Sequence, residues 1–160
     1  MPVGRVAVVA LLLALASGET AYGQTVEQER ESLRGIGTVR VVIQLNEDAT
    51  GISLSEAGLE AAVELQLRRN GVPLTELPNA PSVRVSVLAH RGSRTVYSSV
   101  RVELSQHLLS TRGRLPAITW FRNSLVWGPS GSEGPDYIRD KISEYVDIFS
   151  NDYLTVNPQP

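Results

Sequence analysis

The stretch that decides the fold is "SVRVSVLAHRGSRTVYSSVRVELSQ", residues 82–106. Val83, Val85, Val87 and Ala89 alternate with Arg84, Ser86, Leu88 and His90, so one face of this segment is apolar and the other largely polar. After the turn "RGS", Val96, Ser98, Val100, Val102 and Leu104 alternate in the same way against Tyr97, Ser99, Arg101 and Glu103. Period two on both sides of a short turn predicts a β-hairpin with its apolar residues gathered on one side. A second turn at "STRGR" leads into "LPAITWFR", and "SLVW" continues it after a kink at Asn123 and Ser124, giving one further long strand.

Upstream, "TVRVVIQL" places Val39, Val41, Ile43 and Leu45 at period two, a first strand closed by the turn residues of "NEDATG". Ser53 with Glu56 three residues later forms a capping box, so a helix is expected to start there. Leu54, Gly58, Leu59, Ala61, Ala62, Val63, Leu65 and Leu67 make a broad apolar arc, Glu56, Glu60, Glu64 and Arg68 its polar side, and Asn70–Gly71 its stop. Pro73, Pro78 and Pro81 mark a surface connection. Downstream, "GPSGSEGP" is a loop, and a last helix starts near Pro135 or Asp136. In it Ile138, Ile142, Tyr145, Val146, Phe149 and Tyr153 recur every three or four residues. The order strand, helix, three strands, helix predicts an α+β fold: a two-layer sandwich with a mainly antiparallel sheet and both helices on one face. Residues 24–37, polar and closed by Gly35 and Gly37, read as a flexible lead-in, with room for one or two helical turns, to a single domain over residues 38–158.

The N-terminus carries Arg5, an apolar run from Val6 to Ala16, and then small and polar residues. This is the pattern of a signal peptide over residues 1–23, with Ala21 and Gly23 marking cleavage before Gln24. An apolar run this short falls well below the roughly 20 residues of a membrane span, so no transmembrane anchor is expected after cleavage. A periplasmic or secreted location follows. The absence of cysteine excludes a lipobox anchor and a disulfide framework, leaving the hydrophobic core to hold the fold.

Few chemistries can be built from this inventory. With no cysteine and two histidines, His90 and His107, without H-E-x-x-H spacing, no metal site is expected. "GPSGS" lacks the last glycine of a nucleophile elbow, and "GIGTVR" lacks the third glycine of a dinucleotide fingerprint and precedes a strand. Glu60 with Glu64 and Asp140 with Glu144 are solvated helix pairs. No catalytic residue and no cofactor are therefore assigned.

Charge is segregated along the chain. Residues 82–122 hold seven arginines and a single acid, Glu103, a net charge of +6, while residues 24–81 and 123–160 each carry −4. If the helices cover one sheet face, the other presents Arg84, His90, Tyr97 and Arg101, joined by Trp120 and Arg122 from the next strand. Such a face suits an anionic partner: an envelope protein, an anionic glycan or a lipid headgroup. Export argues against nucleic acid. Three alternatives stand beside this reading: the arginines pair with acids on the helices, a small-molecule pocket lies between helices and sheet under the 128–135 loop, or the chain is an enzyme whose residues are not recognised. At the chain end, Tyr153 continues the apolar stripe, while Asp152 sits at a helix C-terminus where the dipole disfavours an acid. Asp152 and Tyr153 are accordingly expected to act as a structural clasp, with an arginine or backbone amides near the first strand as partner.

The strings "VELQLRRNGV", "AITW" and "IRDKISEYVDIFSNDYLTVNP" resemble a group of small secreted bacterial proteins without an assigned activity, a likeness over most of residues 36–158. It implies one exported domain and adds no catalytic residue. The order of elements is also similar to cell-envelope domains of the TolB N-terminal type.

Overall fold

The computed structural model describes residues 25–111, 113–129 and 134–158. The expected signal peptide and the centre of the glycine-rich loop, residues 130–133, lie outside the described residues. The elements are α1 (Val26–Glu31), β1 (Arg40–Leu45), α2 (Glu47–Gly51), α3 (Glu56–Arg69), β2 (Ser82–Arg91), β3 (Thr95–Ser110), β4 (Gly113–Pro129) and α4 (Gly134–Val156).

The fold is α+β, as expected. The sheet order is β1-β2-β3-β4. β1 runs parallel to β2, because the chain returns through α2 and α3 before pairing, whereas β2, β3 and β4 form an antiparallel meander joined by tight turns. Val83, Val85, Val87 and Ala89 stand opposite Leu104, Val102, Val100 and Ser98, and all eight are buried on the face that receives α3 and α4. Leu59, Val63 and Leu67 of α3 and Ile142, Val146 and Phe149 of α4 complete the core. These side chains fill the middle of the space between helices and sheet; a groove of about 320 Å³ runs between α3 and α4, past Gly58, Gln66 and Ser143, and another of about 420 Å³ lies between the end of β4 and α4, beside Trp127 and Tyr137.

Four local expectations are corrected. First, the cap of α3 is Ser55, whose hydroxyl accepts from Gly58 N at 3.1 Å, and not Ser53. "NEDATG" is not a simple turn but contains α2, capped by Asn46, and Ser53 takes φ 69 in the reversal between the two helices. A left-handed residue cannot also be the extended N-cap. Asn46 further ties β1 to β2, donating to Ala89 O at 2.8 Å and accepting from Ala89 N at 2.9 Å.

Second, the lead-in is ordered. Thr25 and Gln28 form a reciprocal capping box for α1, and Leu33 just after it is fully buried in the core. Its polar composition hid this because two of its charges, Glu29 and Arg30, pair with Arg122 of β4 and Asp152 of α4.

Third, β4 does not kink at Asn123 and Ser124, which pair in register with Arg101 and Val100. The irregularity lies earlier: Leu104 pairs Trp120 while Ser105 pairs Ile118, leaving Thr119 as the extra residue of a β-bulge. The end of α1 holds that bulge, since Ser32 Oγ donates to Thr119 O at 2.9 Å and Gln106 Nε2 donates to Thr119 Oγ1 at 2.8 Å and to Ser32 O at 3.1 Å.

Fourth, Trp120 and Arg122 lie on the helix-covered face rather than the open one. Counted straight back from the turn, Trp120 would oppose Glu103 and Arg122 would oppose Arg101. The added residue at Thr119 shifts the register by one and exchanges the faces of every later β4 side chain. Phe121, Leu125 and Trp127 go to the open face in their place.

Candidate binding face

The face of the sheet opposite α3 and α4 is built from the alternate residues of all four strands. Register arranges them in rows: Val42, Arg84, Glu103 and Phe121; then Gln44, Ser86, Arg101 and Asn123; then Leu88, Ser99 and Leu125; then His90, Tyr97 and Trp127. The face thus has a charged centre and an aromatic and aliphatic end. Leu125 is 75% and Trp127 70% exposed, and Leu88 and Tyr97 beside them are also exposed.

At the centre, Glu103 is buried beneath two arginines. Arg84 Nη1 lies 3.3 Å from Glu103 Oε1 and Arg101 Nε 2.7 Å from Oε2. In the second pair the N–H points off the oxygen, so Arg101 Nε is buried without a hydrogen-bond acceptor, as are Nε of Arg84 and of Arg40 on the same face. Arg101 also stacks over Phe121, 5.4 Å from its ring centre. Two guanidiniums on one carboxylate leave a net positive charge. Beside them runs a shallow groove of about 450 Å³ lined by Gln44, Ser86, Leu88, Ser99, Arg101 and Ile118.

Of the residues expected on this face, Arg84, His90, Tyr97 and Arg101 are there, with His90 Nδ1 3.7 Å from Asp48 at the rim. The sequence reading missed Arg40, Phe121, Leu125 and Trp127. Arg40 was legible from β1 alternation; the β4 residues were not, because nothing in "PAITWF" marks a bulge.

The relocated Trp120 and Arg122 join the chain end in a closed network on the other side of the sheet. Asp152, buried, accepts from Arg30 Nε at 2.9 Å and from Trp120 Nε1 at 3.0 Å, and lies 3.6 Å from Arg122 Nη2. Arg122 Nη1 donates to Glu29 at 2.6 Å and its guanidinium stacks over Trp120, 4.8 Å from the ring centre. Two cations and two anions balance, so this cluster has no charge left over for a ligand. The arginines come from α1 and β4, not from the surroundings of β1. Next to them the Tyr153 hydroxyl donates to Ile36 O at 2.7 Å, and burial holds that phenol above its ordinary pKa. Asn157 then seals the end, donating to Leu33 O at 2.8 Å and accepting from Gly35 N at 2.7 Å.

Among the described residues, no three His, Asp or Glu side chains gather as metal ligands, and no helix is long and apolar enough to cross a membrane. No family model and no curated protein matches the chain. Among solved structures it is similar to rare lipoprotein B from Shewanella oneidensis, at 13% identity over 72% of this chain and 91% of that one, with a TM-score of 0.31. It is also similar to a minor lipoprotein from Acinetobacter baumannii, at 13% identity over 79% of this chain and 99% of that one, with a TM-score of 0.34. Superpositions this slight carry no argument about what the chain does.

Proposed function

We propose that this chain is an exported, non-catalytic interaction module whose open sheet face receives an anionic group of a cell-envelope partner. The observation that carries this reading is the pair Arg84 and Arg101, which share the single buried carboxylate Glu103 and keep their guanidiniums partly exposed on a face that neither long helix covers. An incoming carboxylate, sulfate or phosphate would balance the cation left over and accept from the N–H groups that remain in reach of solvent. The exposed Leu88, Tyr97, Leu125 and Trp127 extend the contact with apolar area, of the kind interfaces use as anchors. Export rests on residues 1–23 and their short apolar run. Asp152 and Tyr153 belong to the fold in this reading: their partners are internal and their charges are matched.

The test is capture of partners from an envelope extract on the immobilised protein, repeated with Arg84→Glu and Arg101→Glu together. Partners should be lost with the double variant; an unchanged set of captured partners would remove the open face from the account.

A further inference from the structure

β4 ends the sheet, so among the described residues one side of its backbone has no neighbouring strand. Natural edge strands are guarded against pairing by charges, prolines and bulges. The first part of β4 has all three: Arg114, Pro116, and the Thr119 bulge held by Ser32. From Asn123 to Gly128 there is none. The segment "NSLVWG" has no charge, no proline and no irregularity, and pairs regularly with β3 on its inner side. Its two large side chains, Leu125 and Trp127, are among the most exposed apolar residues described. An unguarded, uncharged, regular edge is a site for strand addition.

We infer that the occupant of this edge is a second copy of the same chain, paired antiparallel about a two-fold axis at Val126. Self-complementarity favours this occupant over an unrelated strand. About that axis Leu125 of each copy falls opposite Trp127 of the other, so both exposed side chains are matched twice, while Ser124 falls opposite Gly128. No charge in the segment opposes its own copy, which would disfavour an isologous contact. A groove of about 420 Å³ beside the edge is bordered on the helix side by Tyr137, Asp140, Lys141 and Glu144. It carries both signs of charge, so a two-fold brings Lys141 of one copy toward the carboxylates of the other. The two four-stranded sheets become one, and the apolar end of the open face runs unbroken across the junction. Arg84 and Arg101 stay clear of it, so the pairing is independent of anion binding at the centre.

Sedimentation of the purified protein over a concentration series tests the pairing. A monomer–dimer equilibrium is expected, with Leu125→Lys and Trp127→Lys each weakening the dimer several-fold, because each replaces both Leu125–Trp127 cross-strand pairs of the two-fold. Leu65→Lys, on the exposed side of α3, should leave it unchanged. Circular dichroism confirms that each variant is folded. The cysteine-free background allows a second readout: Leu125→Cys mixed with Trp127→Cys should form a disulfide-linked heterodimer on oxidation, and Leu65→Cys mixed with Trp127→Cys should not. A monomer at every concentration, a dimer indifferent to both lysines, or a folded monomer that binds only foreign extended peptides would each overturn the inference.

Discussion

Trp120 Nε1 donates to Asp152 Oδ2 across 3.0 Å, fastening the middle of the last strand to the last turn but one of the last helix. The same carboxylate holds Arg30 from the lead-in. Three distant parts of the chain therefore meet at one buried anion. Asp152→Ala should destabilise the protein by about 2–3 kcal/mol, because the buried Trp120 indole N–H loses its acceptor and the partly exposed Arg30 its ion pair, while Arg122 keeps Glu29. Trp120→Phe in the Asp152→Ala background should cost less than in the parent, since the hydrogen bond is already gone. Denaturant unfolding of the four proteins of that cycle gives both numbers.

Tyr153 gives a pH dependence with a definite sign. Burial raises its phenol pKa in the folded protein, so the unfolded chain loses this proton first as pH rises. The associated stability is intact below the unfolded value of about 10 and is lost as pH climbs through the higher folded value. Tyr153→Phe should be less stable by about 1 kcal/mol at neutral pH, because Ile36 O loses its donor, and should show a flatter fall in stability above pH 10. Thermal unfolding at a series of alkaline pH values checks both.

The bulge makes a sharper demand on the fold. Deleting Thr119 removes the extra residue and leaves Ile118 opposite Ser105 and Trp120 opposite Leu104, so Trp120 keeps its place in the core. The loss is that of the hydrogen bonds Thr119 makes with Ser32 and Gln106, about 2 kcal/mol. Thr119→Ser, which keeps both the extra residue and the hydroxyl that accepts from Gln106, should cost less than about 1 kcal/mol. The melting temperatures of the two variants should separate accordingly.

On the open face, reversing Arg84 and Arg101 to Glu should abolish binding to any anionic partner identified by capture. Arg84→Gln with Arg101→Gln should weaken it and flatten its dependence on salt, as expected when charged contacts are removed. Titration of the captured partner at two ionic strengths measures this.

These particulars show how far the sequence could be read. Alternation fixed β2 and β3 and hence the faces of Arg84, His90, Tyr97 and Arg101, because both strands are regular and period two leaves no freedom. β4 was legible as a strand but not in its facing, because the bulge at Thr119 depends on Ser32 and Gln106, contacts from distant parts of the chain. The lead-in was misread for a related reason. Its Glu29 and Arg30 look solvated in isolation, and only tertiary pairing with Arg122 and Asp152 buries Glu29 and draws Arg30 against the fold. The cap of α3 moved because α2 was not recognised, and a helix of five residues leaves little periodicity to detect.

The account stands most directly on the sorting of two tryptophans to opposite faces, Trp120 fully buried and Trp127 70% exposed, since that sorting defines the open face. Acrylamide quenching of two single-tryptophan variants measures it. With Trp127→Phe the remaining Trp120 should emit at short wavelength and resist quenching; with Trp120→Phe the remaining Trp127 should emit at long wavelength and quench readily. The reverse pattern in folded protein would contradict the register of β4 and the binding face built on it.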